Sequence, residues 1–240
     1  MTALAGVVLA AEGNRKRITQ TRDELRGWTP VEVALASPLQ LPSADRDVYG
    51  LRVNLIYGRS HDVYGLDLGF VGRDDGDFCG LGLSGFSWNE GQMLGVQVAP
   101  FANVVFDDVV GVQFGGFLNL DYGETTGLQV SLMNFGTTFT GAQFGFLFNR
   151  NSEGSTGFQF GIVNDNVGDF TGFSFGVLEN NAKNLTGFQF GILNIVDDLA
   201  EGVQIGVING AIRMSGIQLG LFNLIGNGAV PVSLFLNMNF

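Results

Sequence analysis

The chain repeats itself. TGFQFGIVN (156–164), TGFSFGVLEN (171–180), TGFQFGILN (186–194), EGVQIGVIN (201–209) and SGIQLGLFN (215–223) are versions of one unit. The unit runs small residue, Gly, apolar, Gln, apolar, Gly, two apolar residues, Asn. Looser copies are GVQVAPFAN (95–103), GVQFGGFLN (111–119), TGLQVSLMN (126–134) and TGAQFGFLFN (140–149). The anchoring glycine recurs every 14 to 16 residues, from Gly50 to Gly216. PVEVALAS at Pro30–Ser37 reads as a first unit and AVPVSLFLN, from Ala229, as a degenerate last one, giving 14 units. A period this short means one small structural unit used many times, which needs its neighbours to cover its apolar side.

Inside each unit the apolar period is two. The positions one, three and five after the anchor read Phe158/Phe160/Ile162, Phe173/Phe175/Val177 and Phe188/Phe190/Ile192. Strict alternation rich in Phe, Val and Ile predicts a strand with one apolar face. NDNVGD, NNAKN, NRNSEGS and DDG, lying between the strands, have turn composition. The opposite face is polar. Its central column holds Glu32, Arg52, Asp67, Gly82, Gln97, Gln113, Gln129, Gln143, Gln159, Ser174, Gln189, Gln204, Gln218 and Pro231. Amides bonding one another along the sheet are the expected use of the Gln column. Glu32, Arg52 and Asp67 fall in this column on three successive strands and are expected to meet as a charge cluster.

A sheet with one apolar face must cover it. The expected fold is all-β: about 14 short strands in an antiparallel up-and-down meander closed as a barrel. With its apolar face outward the barrel sits in lipid around a polar lumen. With that face inward it encloses a greasy cavity. The alternative is a β-solenoid with the apolar face toward its axis. That fold accounts for stacked Gln and Asn, but two inward Phe per 15-residue coil would crowd it. Phe158, Phe160, Phe173, Phe175, Phe188 and Phe190 define the apolar face in any of these.

Residues 1–28 stand apart from the repeat domain, 29–240. MTALAGVVLAAEG reads as the remnant of a secretory signal or as an ordinary apolar start, and 12–27 as a short helix. Five of the 12 bases (Arg15, Lys16, Arg17, Arg22, Arg26) lie in that segment with three acids, which leaves 20 acids against 7 bases in the body. A body so acidic repels phosphate, which argues against nucleic acid as a partner.

Catalytic groups are scarce. There is one Cys and one His, so neither a nucleophile–base set nor a cofactor or metal site is assigned, and the chain is expected not to be an enzyme. His61 reads as a surface side chain in a turn and Cys79 as a buried thiol beside a strand. The acid clusters Asp45/Asp47, Asp74/Asp75/Asp77, Asp107/Asp108 and Asp197/Asp198 read as solvated turns before they read as calcium ligands.

The tandem units, following DVYGLRVNLIYG (Asp47–Gly58) and YGLDLG (Tyr64–Gly69), resemble the Leptospira-type bacterial surface repeat proteins over about residues 30–240. The resemblance implies a location in the bacterial outer membrane or on the cell surface and brings no activity or catalytic residues with it. The chain departs from lipoprotein members in having no Cys near its start. The terminal Phe240 also looks like the closing signal of outer-membrane barrels. The expected function is a structural or weakly pore-forming surface protein in contact with membrane lipid. Its alternative is a soluble or peripheral envelope module that binds a lipid, glycan or protein partner.

Overall fold

A computed structural model describes residues 27–240. Seventeen strands and no helix occur among the described residues. The helix expected over 12–27 lies outside them, apart from Gly27.

The repeats pair in parallel, each with the next, in register. Gly141 faces Gly157 and Gly157 faces Gly172; Phe160 faces Phe175; Asn149 faces Asn164 and Asn164 faces Asn180. A pairing offset of one repeat from Trp28–Ala36 to Ile208–Ile225 defines a stack of coils, a β-solenoid. The antiparallel barrel is therefore corrected. The segments read as turns explain the error. Asn-rich stretches such as 163–166 and 179–182 are the second strand of each coil, paired in parallel like the first. A register break separates the two strands, between Gly145 and Phe148 in one coil and between Gly161 and Val163 in the next. Asn favours turns, but it also stacks on itself in parallel sheets, and here stacking wins.

The solenoid is also turned inside out relative to the expected one. Gln, Asn and small residues fill the interior, and the Phe columns face outward. This removes the crowding objection to a 15-residue coil, because the two Phe columns stay outside and, among the described residues, only Phe78, Phe139 and Phe170 are buried aromatic rings.

Glycine at the anchor is a steric requirement. All twelve anchors from Gly50 to Gly216 have φ between 129° and 151°. A Cβ on Gly157 would stand 2.0 Å from the carbonyl oxygen of Gly141 one coil back. Only glycine tolerates both the dihedral and the approach.

Two apolar interior patches come from the residue two places before the anchor and from the second strand. One joins Val48, Val63, Phe78, Met93, Val105 and Val109. The other includes Phe170, Leu185, Val196, Met214 and Ile225. At the C-terminal end Val232–Asn239 runs antiparallel against Ile208–Ile225, with Gly216 facing Asn239 and Leu219 facing Leu236. The degenerate last unit is thus a strand that reverses and closes the open edge, not a further coil. At the other end Leu39–Leu41 folds back antiparallel on Trp28–Ala36. Both devices blunt a sheet end that would otherwise template further pairing.

Candidate functional site: the polar interior and the apolar exterior

The interior of coils from Asn103 onward is a column of amides. Asn103, Asn119, Asn134, Asn149, Asn164, Asn180, Asn194, Asn209 and Asn223 are fully buried. Each Nδ2 donates to the Oδ1 of the next, at 2.8–3.0 Å, without a break. The second amide hydrogen is used as well. Asn149 donates to the carbonyl of Phe160 at 2.8 Å and Asn180 to that of Phe190 at 2.9 Å, which pins the corner between the two strands. Gly176 leaves room for this, since a Cβ there would meet Asn180 Oδ1 at 2.6 Å.

The Gln column forms a second ladder. Gln129 donates to Gln113, Gln143 to Gln129 and Gln159 to Gln143 at 2.8–3.0 Å. Past the break at Ser174, Gln218 donates to Gln204 and Gln204 to Gln189. These bonds run toward the N-terminus, whereas the Asn bonds run toward the C-terminus, so the two rows of amide dipoles oppose each other. The rows also bond across the interior: Gln159 and Asn166 exchange hydrogen bonds of 3.1 and 2.8 Å. Amides bonded along the sheet are what the sequence led us to expect.

The expected charge cluster takes a wider form. Arg52 is fully buried. Its Nε and Nη2 donate to both oxygens of Asp67 at 2.8 and 2.7 Å, a bidentate pair. Its Nη1 reaches Asp74 and the carbonyl of Arg73, the latter at 3.2 Å. Asn54 Nδ2 also donates to Asp67, at 3.0 Å. Glu32 faces Arg52 in the strand register, but its Oε1 accepts from Ser60 Oγ at 2.8 Å. Asp74 was missed because its segment read as an acidic turn; it is the inward residue of a second strand.

Burial sets the ionisation here. It pushes Asp74 up to about 7, against the pull of Arg52, with Asp67 adding to the rise. Burial also raises Glu32, while Ser60 and Arg52 hold it back. For Arg52 burial acts to lower the pKa, but Asp74 and Asp67 outweigh it and the guanidinium is held charged. Three coils beyond Asp74, Asp121 is buried in the Gln ladder with no cation in contact among the described residues. Burial lifts it to about 7, although Gln113, Thr125 and Gln129 donate to it.

The exterior is apolar over the first sheet and the corner that follows it. Phe158, Phe173 and Phe188 form one outward file, with successive ring centroids 6.3 and 4.4 Å apart. Phe160, Phe175 and Phe190 form a parallel file at 5.4 and 4.8 Å. Phe173 and Phe190 are exposed, and the other four are half-buried by one another. The corner between the two strands shows Leu55, Ile56, Phe146, Leu147, Leu221 and Phe222, each about half exposed. Ion pairs join neighbouring coils: Arg59 with Asp75, Arg73 with Glu90, Arg150 with Asp165, Arg213 with Asp198. Arg59, Arg73, Arg150 and Asp165 stand on the second strands, and Asp75 and Glu90 in the turns after them. Asp107 and Asp108 lie in such a turn, where Asp108 Oδ1 accepts from the backbone N–H of Glu124 at 2.9 Å. Cys79 is a half-exposed free thiol. No family model, curated protein or solved structure matches the chain.

Proposed function

We propose that the protein is a non-enzymatic surface rod of the bacterial envelope that lies against membrane lipid through its apolar exterior. The observation that carries this reading is the separation of surface chemistry. The first sheet presents contiguous outward columns of Phe, Leu, Ile and Val, whereas the ion pairs lie on the second strands and the turns that follow them. Soluble monomers rarely leave an apolar surface of this extent bare. A rod with one greasy sheet and a charged second-strand side is suited to lying in an interface with the charged side toward water. Pore formation depended on a ring of strands around a lumen and is not carried forward, because the solenoid interior is filled by side chains. The envelope location and the Leptospira-type family belong to the same proposal and rest on the repeat motif.

The test is flotation of purified, detergent-free protein with vesicles of mixed neutral and anionic phospholipid. The rod is expected to float with the vesicles at high salt, since apolar contact is insensitive to screening. Protein that remains monodisperse in the dense fraction would refute the lipid reading. The module would then be one whose apolar faces meet a protein or glycan partner.

A further inference from the structure

We infer that Asp47, His61 and Asp62 form a binding site for one divalent first-row transition-metal ion, of the zinc or cobalt kind. The solenoid brings the three together by stacking. His61 N–H donates to the carbonyl of Arg46 at 3.2 Å, and Val48 N–H to the carbonyl of Asp62 at 2.8 Å. These two bonds fix one turn on the next, so that Asp47 and Asp62 occupy the same place in successive coils. His61 Nδ1 stands 2.8 Å from Asp62 Oδ1 and 3.5 Å from Asp47 Oδ1. One ligand atom from each of the three residues lies within 4.8 Å of the other two.

Those separations suit a metal. Zinc bonds of about 2.1 Å at tetrahedral angles place ligand atoms about 3.4 Å apart. The Asp47 oxygen already stands at that distance, and Asp62, whose Oδ1 also accepts from the backbone N–H of Asp77 at 2.8 Å, is held facing it by that bond and has a second carboxylate oxygen to offer. The ion would sit between Nδ1 and the two carboxylates. One imidazole nitrogen and two carboxylate oxygens favour zinc, cobalt and their neighbours over calcium, which prefers six or more oxygens. The side chains are 17–29% exposed, which leaves a route for entry and a position for water.

Two comparisons within the molecule single out this place. Asp77 occupies the same column one coil on, and its Oδ1 accepts from the N–H of Gln92 at 2.9 Å; no imidazole is there, since the chain has one His. Gly76 walls the site. A Cβ on it would lie 1.9 Å from Asp62 Oδ1 and 2.9 Å from His61 Nδ1, so any larger residue would push into the ligand atoms. This gives a role to His61, which the sequence left as a surface side chain, and to one of the acidic turns.

Zn2+ titrated calorimetrically into the full chain tests the assignment, with Co2+ absorption as the spectroscopic probe. One ion per chain and a tetrahedral Co2+ spectrum are expected. His61→Ala should weaken binding about 100-fold, the upper end of what even outer-shell losses cost. Gly76→Ala keeps all three ligands and should weaken it about tenfold. Asp77→Asn should bind as the parent does. Zn2+ should raise the melting temperature of the parent and not that of His61→Ala. Equal binding by His61→Ala and the parent, or Ca2+ binding as tight as Zn2+, would overturn the site and leave a screened acidic turn.

Discussion

The two ends of the solenoid solve one problem in opposite ways. In the first coils the interior holds Glu32, Arg52, Asp67 and Asp74; from Asn103 to Asn223 it holds neutral amides. Both interiors are closed to water, and both must satisfy buried polar groups or lose about 1–3 kcal/mol for each one left bare. An amide is donor and acceptor at once, so the same residue can follow itself without limit. The Asn ladder does so eight times. Arginine only donates and aspartate only accepts, so a charged centre cannot repeat along a parallel stack. It forms once and ends. Asp121 marks the boundary between the two solutions: a lone carboxylate set into the amide column.

The largest effect should come from breaking the charged centre. Arg52→Met leaves Asp67 and Asp74 buried without their cation, which is expected to cost about 3–5 kcal/mol at neutral pH. Denaturant unfolding at pH 8 and pH 5 checks it, since protonation of the carboxylates should recover part of the loss at the lower pH. A loss that does not change with pH would mean that Arg52 acts by packing alone.

An interior member of the ladder ranks next. Asn164→Leu leaves Asn149 Nδ2 without its acceptor and Asn180 Oδ1 without its donor from that side. The expected cost is about 2–3 kcal/mol. The end member, Asn103, serves one neighbour, so Asn103→Leu should cost about half as much. Equal costs at the two positions would show that the ladder is not continuous.

The smallest effect tests the boundary. The folded state holds Asp121 near pKa 7, above its unfolded value of about 3.9. The neutral form is therefore the one the fold prefers. Its contribution is full below about pH 4 and is lost as pH rises through about 7. Asp121→Asn should leave stability at pH 4 nearly unchanged and raise it by about 1–2 kcal/mol already at pH 5, with a further rise toward pH 7. Melting curves across that range would show a flatter pH profile in the variant. Asp74, raised for the same reason and in the same direction, supplies the slope that remains.

Much of this was readable from the residues. The repeat, its length, the strand alternation and the common face of Phe188 and Phe190 follow from spacing alone. Bonding along the Gln column followed from the chemistry of the amide. The side on which the core lies did not. A preference for apolar interiors places Phe158 and Phe160 inward or in lipid, and nothing local says that hydrogen-bonded Gln and Asn can fill a coil instead. The direction of pairing was hidden for a related reason, because Asn164 and Asn180 look the same in a turn and in a ladder. One signal was available: in every unit from Gly95 to Gly216 an Asn follows the Gln column by five or six residues, and turns alone do not demand that. Another was Val48, Val63, Phe78 and Met93, two places before successive anchors, an apolar file out of step with the Phe columns. In the charged cluster, Arg52 and Asp67 were visible as neighbours in one column, whereas Asp74 lies across the coil and needed the second strand to be recognised.

The central claim is a parallel stack one repeat per coil, and distances between outward residues of one column test it most directly. On a Cys79→Ser background, spin labels placed in pairs at Tyr64 and Thr126, Tyr64 and Thr186, and Tyr64 and Ser215 span four, eight and ten coils. At about 4.8 Å per coil the separations should grow in proportion, near about 19, 38 and 48 Å. A separation that rises and then falls as the second label moves toward the C-terminus would mean that the strands close into a ring and would contradict the stack.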